Sequence, residues 1–160
     1  RAMRRPYTLD RYRRLVDHVR DRLPQASIGS DVIAGFPGET HEDVERLLAY
    51  LPSSPLTHLH VFPYSDRPGT AASAISEKVP GPQVRARAQA IRAIGRELTR
   101  RFRESHVGAV RPGLTLEDGT LVVTDNYLKV RVPGGRRRNE RVRVRIVAAG
   151  EVMSGLIIED

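Results

Sequence analysis

Two short stretches combine residues that could hold a small molecule: GFPGET, Gly35 to Thr40, and SDRPGT, Ser65 to Thr70. In the first, Gly35 and Gly38 bracket Phe36-Pro37, giving a turn with little side-chain bulk at its two hinge points, where a ligand can reach the main chain. Thr40 is placed to cap a following helix, and Glu42 and Asp43 suit the positive end of its dipole. In α/β proteins ligands gather where strands end and such turns begin. A strand, a Gly-containing turn and a capped helix also occur together with no ligand, so both readings stand. The turn is not a phosphate cradle of the P-loop kind, because no Gly-Lys-Ser/Thr follows.

The 160 residues include no cysteine. This excludes disulfides, thiolate zinc sites and any iron–sulfur cluster ligated conventionally by this chain. His18, His41, His58, His60 and His106 offer no pair at a metal-binding helical spacing. His58 and His60 alternate on one face of an expected strand and read as satisfied polar residues. The formal net charge is +8 with a pI near 10.7, and every basic residue except Lys78 and Lys129 is arginine. Arginine favours bidentate phosphate contacts and stacking on bases, which suits a nucleic-acid partner. A genome rich in G and C, which encodes Arg where others use Lys, accounts for the same bias. No apolar run approaches the roughly 20 residues needed to span a membrane. No secretory signal precedes the first helix, so the expected location is cytoplasmic.

The elements that must position these residues follow from periodicity. Arg1 to Arg5 reads as carrying no folded element. Thr8 opens a helix to about Leu23, with Leu9, Tyr12, Leu15, Val16, Val19 and Leu23 on one stripe and Arg11, Arg13, Arg14, Asp17, Arg20 and Asp21 on a solvated face; Pro24 ends it. Val32, Ile33 and Ala34 fit a strand covered on both faces, running into the Gly35 turn. A helix from about Glu42 to Leu51 buries Val44, Leu47, Leu48 and Leu51. Thr57 to Tyr64 is a second strand, with Leu59, Val61 and Phe62 inward, and it too runs into a Pro-Gly loop. Two strands that each end in such a loop suggest a βαβα series with its loops on one rim. Pro82 suits the first turn of a long basic helix to about Glu104, whose apolar stripe is Val84, Ala88, Ile91, Ile94, Leu98 and Phe102.

From about Val107 helical periodicity stops. Short β-type runs take over: Ala109 to Leu116, Thr120 to Val123, Tyr127 to Val132, Val142 to Ala148 and Ser154 to Ile158. Glycines punctuate them, which predicts a small antiparallel barrel. Gly134 to Arg138, GGRRR, would be a basic loop tip, and Val142 to Ile146 alternates apolar residues with Arg143 and Arg145. Small barrels of this kind bind RNA through one face and its loops. Two strands with three helices cannot close a parallel barrel, which needs eight strands. The first half therefore reads as part of a longer chain, or as a sheet whose edges a partner covers.

At this point the motifs MRRPYT (Met3 to Thr8), SDVIAGFPGET (Ser30 to Thr40), HVFPYSDRPGT (His60 to Thr70) and TDNYLKV (Thr124 to Val130) carry a resemblance. In this order they resemble the radical S-adenosylmethionine methylthiotransferases, over nearly the whole chain. The pairing of TDNYLKV with MRRPYT looks most like the branch that modifies threonylcarbamoyladenosine in tRNA; the isopentenyladenosine and ribosomal-protein branches are the nearest competitors. The resemblance implies an α/β fold. Residues 1–104 would be the C-terminal part of a radical-SAM TIM-like barrel, and residues 105–160 a small antiparallel β-barrel, the OB-like TRAM domain that holds RNA. It implies transfer of a methylthio group to C2 of the adenosine beside the tRNA anticodon. S-adenosylmethionine and 4Fe-4S clusters do the hard chemistry in such enzymes. The family's cluster ligands are cysteines, three of them in C-x3-C-x2-C upstream of the matched region. This chain has none, so alone it is expected to be inactive.

Residue by residue, Ile33 and Gly35 match the family's strand whose backbone lies against the adenine of S-adenosylmethionine; Asp31 stands where that pattern often has Gly. Phe36 would pack nearby, with Gly38 in the same turn, and Glu39 would order it. Tyr64, Ser65 and Arg67 would face substrate or cofactor at the rim, a structural ion pair being the alternative for Arg67. In the β-barrel, Asp125, Asn126 and Tyr127 would form a turn that leaves Tyr127 to stack. Lys129, Arg131, Arg136, Arg137, Arg138, Arg143 and Arg145 are candidate phosphate contacts. The partners implied are tRNA in its anticodon region and the missing N-terminal part of the same protein. Two other functions compete: a stand-alone RNA-binding module without catalysis, and a small α/β nucleotide-binding module whose basic surface reflects codon usage.

Overall fold

A computed structural model describes residues 6–134 and 136–158. Arg1 to Arg5, with the first half of MRRPYT, and Gly135 of the basic loop lie outside the described residues. The chain packs as two units, dividing after Leu98.

In the first unit, Thr8 caps helix α1 (Leu9–Arg22), its hydroxyl accepting the Arg11 N–H at 3.2 Å. Strand β1 (Gly29–Ala34), helix α2 (His41–Tyr50), strand β2 (His58–Pro63) and helix α3 (Gly81–Glu104) follow, with a 3-10 turn at Leu51–Ser53. β1 and β2 pair in parallel, Val32 beside Val61 and Ile33 beside Phe62. Val16, Ala34, Leu51, Leu56, Ala88, Ile91 and Leu98 form the core, with Val32, Leu59 and Val61 packed on it.

Several expectations are corrected here. The strand alternation that sends Val32 and Val61 to the core sends Phe62 the other way, where it is 52% exposed. β1 is thus covered on one face, not two. Leu9, Leu15 and Leu23 of the α1 stripe are exposed, and Val16 is its one buried residue. Leu51 is buried from the 3-10 turn that follows α2. Arg20, read as part of a solvated face, instead donates to the carbonyls of Pro24, Ala26 and Pro55. The two strands make an open sheet, and among the described residues no TIM-like barrel is formed.

The second unit is a closed barrel of β3 (Val110–Leu116), β4 (Leu121–Thr124), β5 (Lys129–Arg131), β6 (Arg141–Ala148) and β7 (Met153–Ile158), ordered β3-β4-β5-β7-β6. The expected all-antiparallel barrel is corrected on one pair: β5 and β7 run parallel. Parity requires this, since five strand directions cannot alternate around a closed ring. Val122, Leu128, Val130, Val132, Val144, Ile146 and Met153 fill the interior, with Phe102 of α3 against them. No helix among the described residues is long and apolar enough to cross a membrane.

Candidate functional site

On the first unit, the parallel register brings the two sequence-predicted loops side by side at the C-terminal ends of β1 and β2. The Tyr64 N–H donates to Ala34 O at 2.8 Å, and the Phe36 and Tyr64 rings meet edge to face at 5.6 Å. Gly35 sits at φ +79°, and a Cβ there would fall 2.4 Å from the Val84 Cγ2, so backbone conformation and packing both demand glycine. Its N–H donates to both oxygens of the Glu39 carboxylate, at 3.0 and 3.1 Å. Glu39 in turn pairs with the Arg87 guanidinium at 2.7 Å, both side chains being largely buried. The expectation that Glu39 orders the turn therefore has a physical basis. Arg87, on α3, completes the arrangement from 48 residues away; only its place in a basic helix was visible in the sequence. Gly38 (φ +83°) donates to Glu77 O at 2.8 Å. Ile33 is half-buried on the sheet face opposite Val32.

Beyond β2, the Tyr64 hydroxyl donates to Asp66 at 2.9 Å, and Lys78 approaches the same carboxylate at 3.3 Å. The bond from Tyr64 is the main cause that holds Asp66 below the ordinary carboxylate value. Partial desolvation, then that same bond, raises the Tyr64 hydroxyl, leaving a neutral donor against an ionised acceptor. The cation at Asp66 is thus Lys78, which the sequence reading passed over, and not Arg67. Ser65 and Arg67 are exposed. His58 accepts or donates at Nδ1 to the Thr57 hydroxyl (3.1 Å), and its ring meets His60 edge to face at 5.2 Å. Desolvation, then the neighbouring His60, lowers the His58 pKa, keeping it a neutral, satisfied residue. Among the described residues no cluster of three His, Cys, Asp or Glu could hold a metal.

On the second unit the basic residues stand on the barrel's outside. Lys129 and Arg131 are exposed on β5, and Arg143 and Arg145 on β6. The loop before β6 is pinned at its base. The Thr115 side chain donates to Arg137 O and accepts the Glu140 N–H at 2.8 Å. Gly119 (φ +87°) lets the loop close in, since a Cβ there would collide with Arg136 O. Arg136 is held by Glu140 at 3.2 Å, while the Arg137 and Arg138 side chains are exposed. β5 and β6 are separated by β7, so the predicted contacts form two groups on the barrel wall.

The TDNYLKV segment contains what sequence reasoning missed. Leu128 N–H donates to the Thr124 hydroxyl (2.9 Å), which donates to Asn126 Oδ1 (2.7 Å). The Asn126 amide meets His106 Nε2 at 2.9 Å, and His106 Nδ1 meets Phe102 O at 2.8 Å. An amide donor at one ring nitrogen and a carbonyl acceptor at the other place the ring proton of His106 on Nδ1. Thr124, Asn126 and His106 are all buried. Asp125, between them, takes a bidentate Arg111 at 2.9 and 2.6 Å. The turn so fixed holds Tyr127 at φ +65°, 83% exposed. For a bulky residue that conformation costs roughly 1–2 kcal/mol. The signal available in sequence was the polar run Thr-Asp-Asn; its partner His106 was not.

No protein-family model matches the chain. Among curated proteins, the threonylcarbamoyladenosine tRNA methylthiotransferase of Aquifex aeolicus is 34% identical over 144 residues, covering 90% of this chain and 35% of that protein. The tRNA-2-methylthio-N(6)-dimethylallyladenosine synthase of Streptomyces avermitilis is 34% identical over 158 residues, covering 95% of this chain and 31% of the relative. That of Thermobifida fusca is 39% identical over 108 residues, 68% of this chain and 22% of the relative. The chain thus spans about a third or less of the length of these relatives.

Proposed function

The chain belongs to the tRNA methylthiotransferase family, and from that premise we propose that it is the C-terminal portion of such an enzyme: one wall of the cofactor pocket (residues 1–104) and an RNA-holding TRAM-type barrel (residues 105–160). The observation that carries this reading is similarity over nine tenths of the chain to enzymes named for tRNA methylthiolation. The exposed basic residues of a closed barrel agree with it. The reaction proposed for the whole protein adds a methylthio group at C2 of the adenosine beside the anticodon. Within the family, the pairing of TDNYLKV with MRRPYT supports the threonylcarbamoyladenosine branch.

The residues present do not fit an iron–sulfur cluster, because the chain offers no thiolate. On this reading the chain alone transfers no sulfur, and the cluster ligands belong to the rest of the parent protein. For S-adenosylmethionine, the rim where β1 and β2 end is the candidate place on this reading. Since Gly35 N–H and the Glu39 carboxylate are engaged with each other, the chain's contribution would be Ile33, the Phe36 ring and the open Gly38 turn. Bound there, the cofactor supplies the methyl group. Tyr64, Ser65 and Arg67 line the same rim from the next strand, and Lys78–Asp66 fixes the Tyr64 hydroxyl.

The chain without cysteines, carrying a complete barrel, also supports a second reading, an RNA-binding module without catalysis. Both readings require RNA binding through phosphates. Affinity of the chain for an unmodified tRNA anticodon stem–loop is expected to fall by about two orders of magnitude between 50 and 200 mM salt, for some four or five phosphate contacts. Absent or salt-insensitive binding would remove both and leave the nucleotide-binding module. If binding holds, methylthiolation on adding the cysteine-bearing remainder of a family enzyme separates the first reading from the second.

A further inference from the structure

The Tyr127 turn does not stand alone on the barrel. Asp125 N–H donates to Pro112 O at 3.1 Å, and Pro112 lies opposite Arg143 in the β3–β6 ladder. Arg143 in turn lies opposite Ile158 of β7. Pro112, Ile157 and Ile158 line an open groove whose basic wall is Arg136, Arg141 and Arg143. Among the described lining residues the acidic one, Glu140, accepts from Arg136 at 3.2 Å and from the Arg137 N–H at 3.2 Å. The turn that carries the exposed Tyr127 ring is thus bonded to Pro112, which also lines a groove with an apolar floor edged with arginines.

We propose that this face is a track for single-stranded RNA, with its phosphates along Arg141 and Arg143 and one unpaired base stacked on Tyr127. The inference rests on the RNA-holding reading and narrows it to one face of the barrel and to unpaired nucleotides. An exposed ring and a basic groove are the two components that sequence-tolerant single-strand binding needs. A duplex keeps its bases stacked on each other and offers no face to Tyr127. The left-handed backbone at Tyr127 is held by the buried Thr124–Asn126–His106 chain, which acts as a positioning device for the ring. Lys129 and Arg131 stand on β5, separated from β6 by β7, and form a second basic group on the barrel wall.

The test uses the whole chain with a fluorescently labelled, unstructured adenine-rich RNA decamer, and a fully paired RNA duplex in parallel. The single strand binds more tightly. Tyr127→Gly suits this backbone better than tyrosine, so its melting temperature stays level or rises, while single-strand affinity drops about tenfold and the salt slope holds. Tyr127→Trp keeps affinity, and its fluorescence is quenched when the RNA binds. Arg141→Ala with Arg143→Ala leaves the quenching at saturation but makes the salt slope shallower by about 1.4, two single-strand phosphate contacts. Unchanged affinity in Tyr127→Gly, or a preference for the duplex, overturns the track and leaves the RNA-holding reading in place. If the unaltered chain binds neither RNA, that reading itself fails, and the track with it.

Discussion

The Glu39 carboxylate accepts the Gly35 N–H with both oxygens and pairs with Arg87, two side chains only 15% and 13% exposed. Removing the charge strands a guanidinium out of water, so Glu39→Gln is expected to cost about 2–4 kcal/mol in the first unit. Replacing both partners, with Arg87→Met added, should cost less than the sum of the single changes, because no uncompensated charge remains. Chemical denaturation of the four proteins measures the difference, and strict additivity would show that the pair does not couple. The glycine at 35 was legible from the turn it punctuates. Its reason was not: Val84 occupies the place of a Cβ, a contact made across 49 positions of chain (84 − 35). Likewise Phe62 faced outward because its parallel register with Ile33 decides the face, and register is a property of two strands that one run of residues does not display.

At the scale of elements, local patterns were read well where neighbours in sequence decide them. Thr8 caps α1, Thr40 with Asp43 forms a reciprocal capping box on α2, and the apolar stripe of α3 is buried at Val84, Ala88, Ile91 and Leu98. β5 was expected to begin at Tyr127, and the turn shortened it to three residues. The cause is the side chain of Asn126, which pairs with His106 in the turn just beyond α3 and takes the chain out of strand geometry. Asn126→Ala would leave His106 Nε2 and the Thr124 hydroxyl without these partners inside the barrel. The expected loss is about 2–4 kcal/mol for the second unit, from two abandoned buried bonds and a small cavity. The melt of a 99–160 fragment, which contains the whole barrel and His106, reports it directly. A loss under half a kilocalorie would mean that water replaces the amide. Sequence pattern also missed the parallel pair, although the count of five strands contained it: closure with an odd number forces one.

For the whole molecule, the two units differ in how their backbones are satisfied. In the barrel every strand has a neighbour on each side, so no edge remains. β1 and β2 pair only with each other among the described residues, and a two-stranded sheet is marginal without further cover. The unit compensates with helix packing and with arginines bound to carbonyls, Arg20 to three of them and Arg92 to Val61 O. Part of the basic charge that suggested RNA is thus spent on the chain's own backbone, which composition could not reveal. Amide exchange should separate the units: protection at β4 and β6 is expected to exceed that at β1 and β2 by ~10-fold or more, because local opening of the open sheet exposes less apolar surface. Protection of β1 and β2 that climbs with protein concentration would mark pairing of their edges between copies. Protection equal to the barrel's at every concentration would mean that the two-stranded sheet opens only when the whole chain unfolds, and the case for a missing flank on the first unit would lose its physical support.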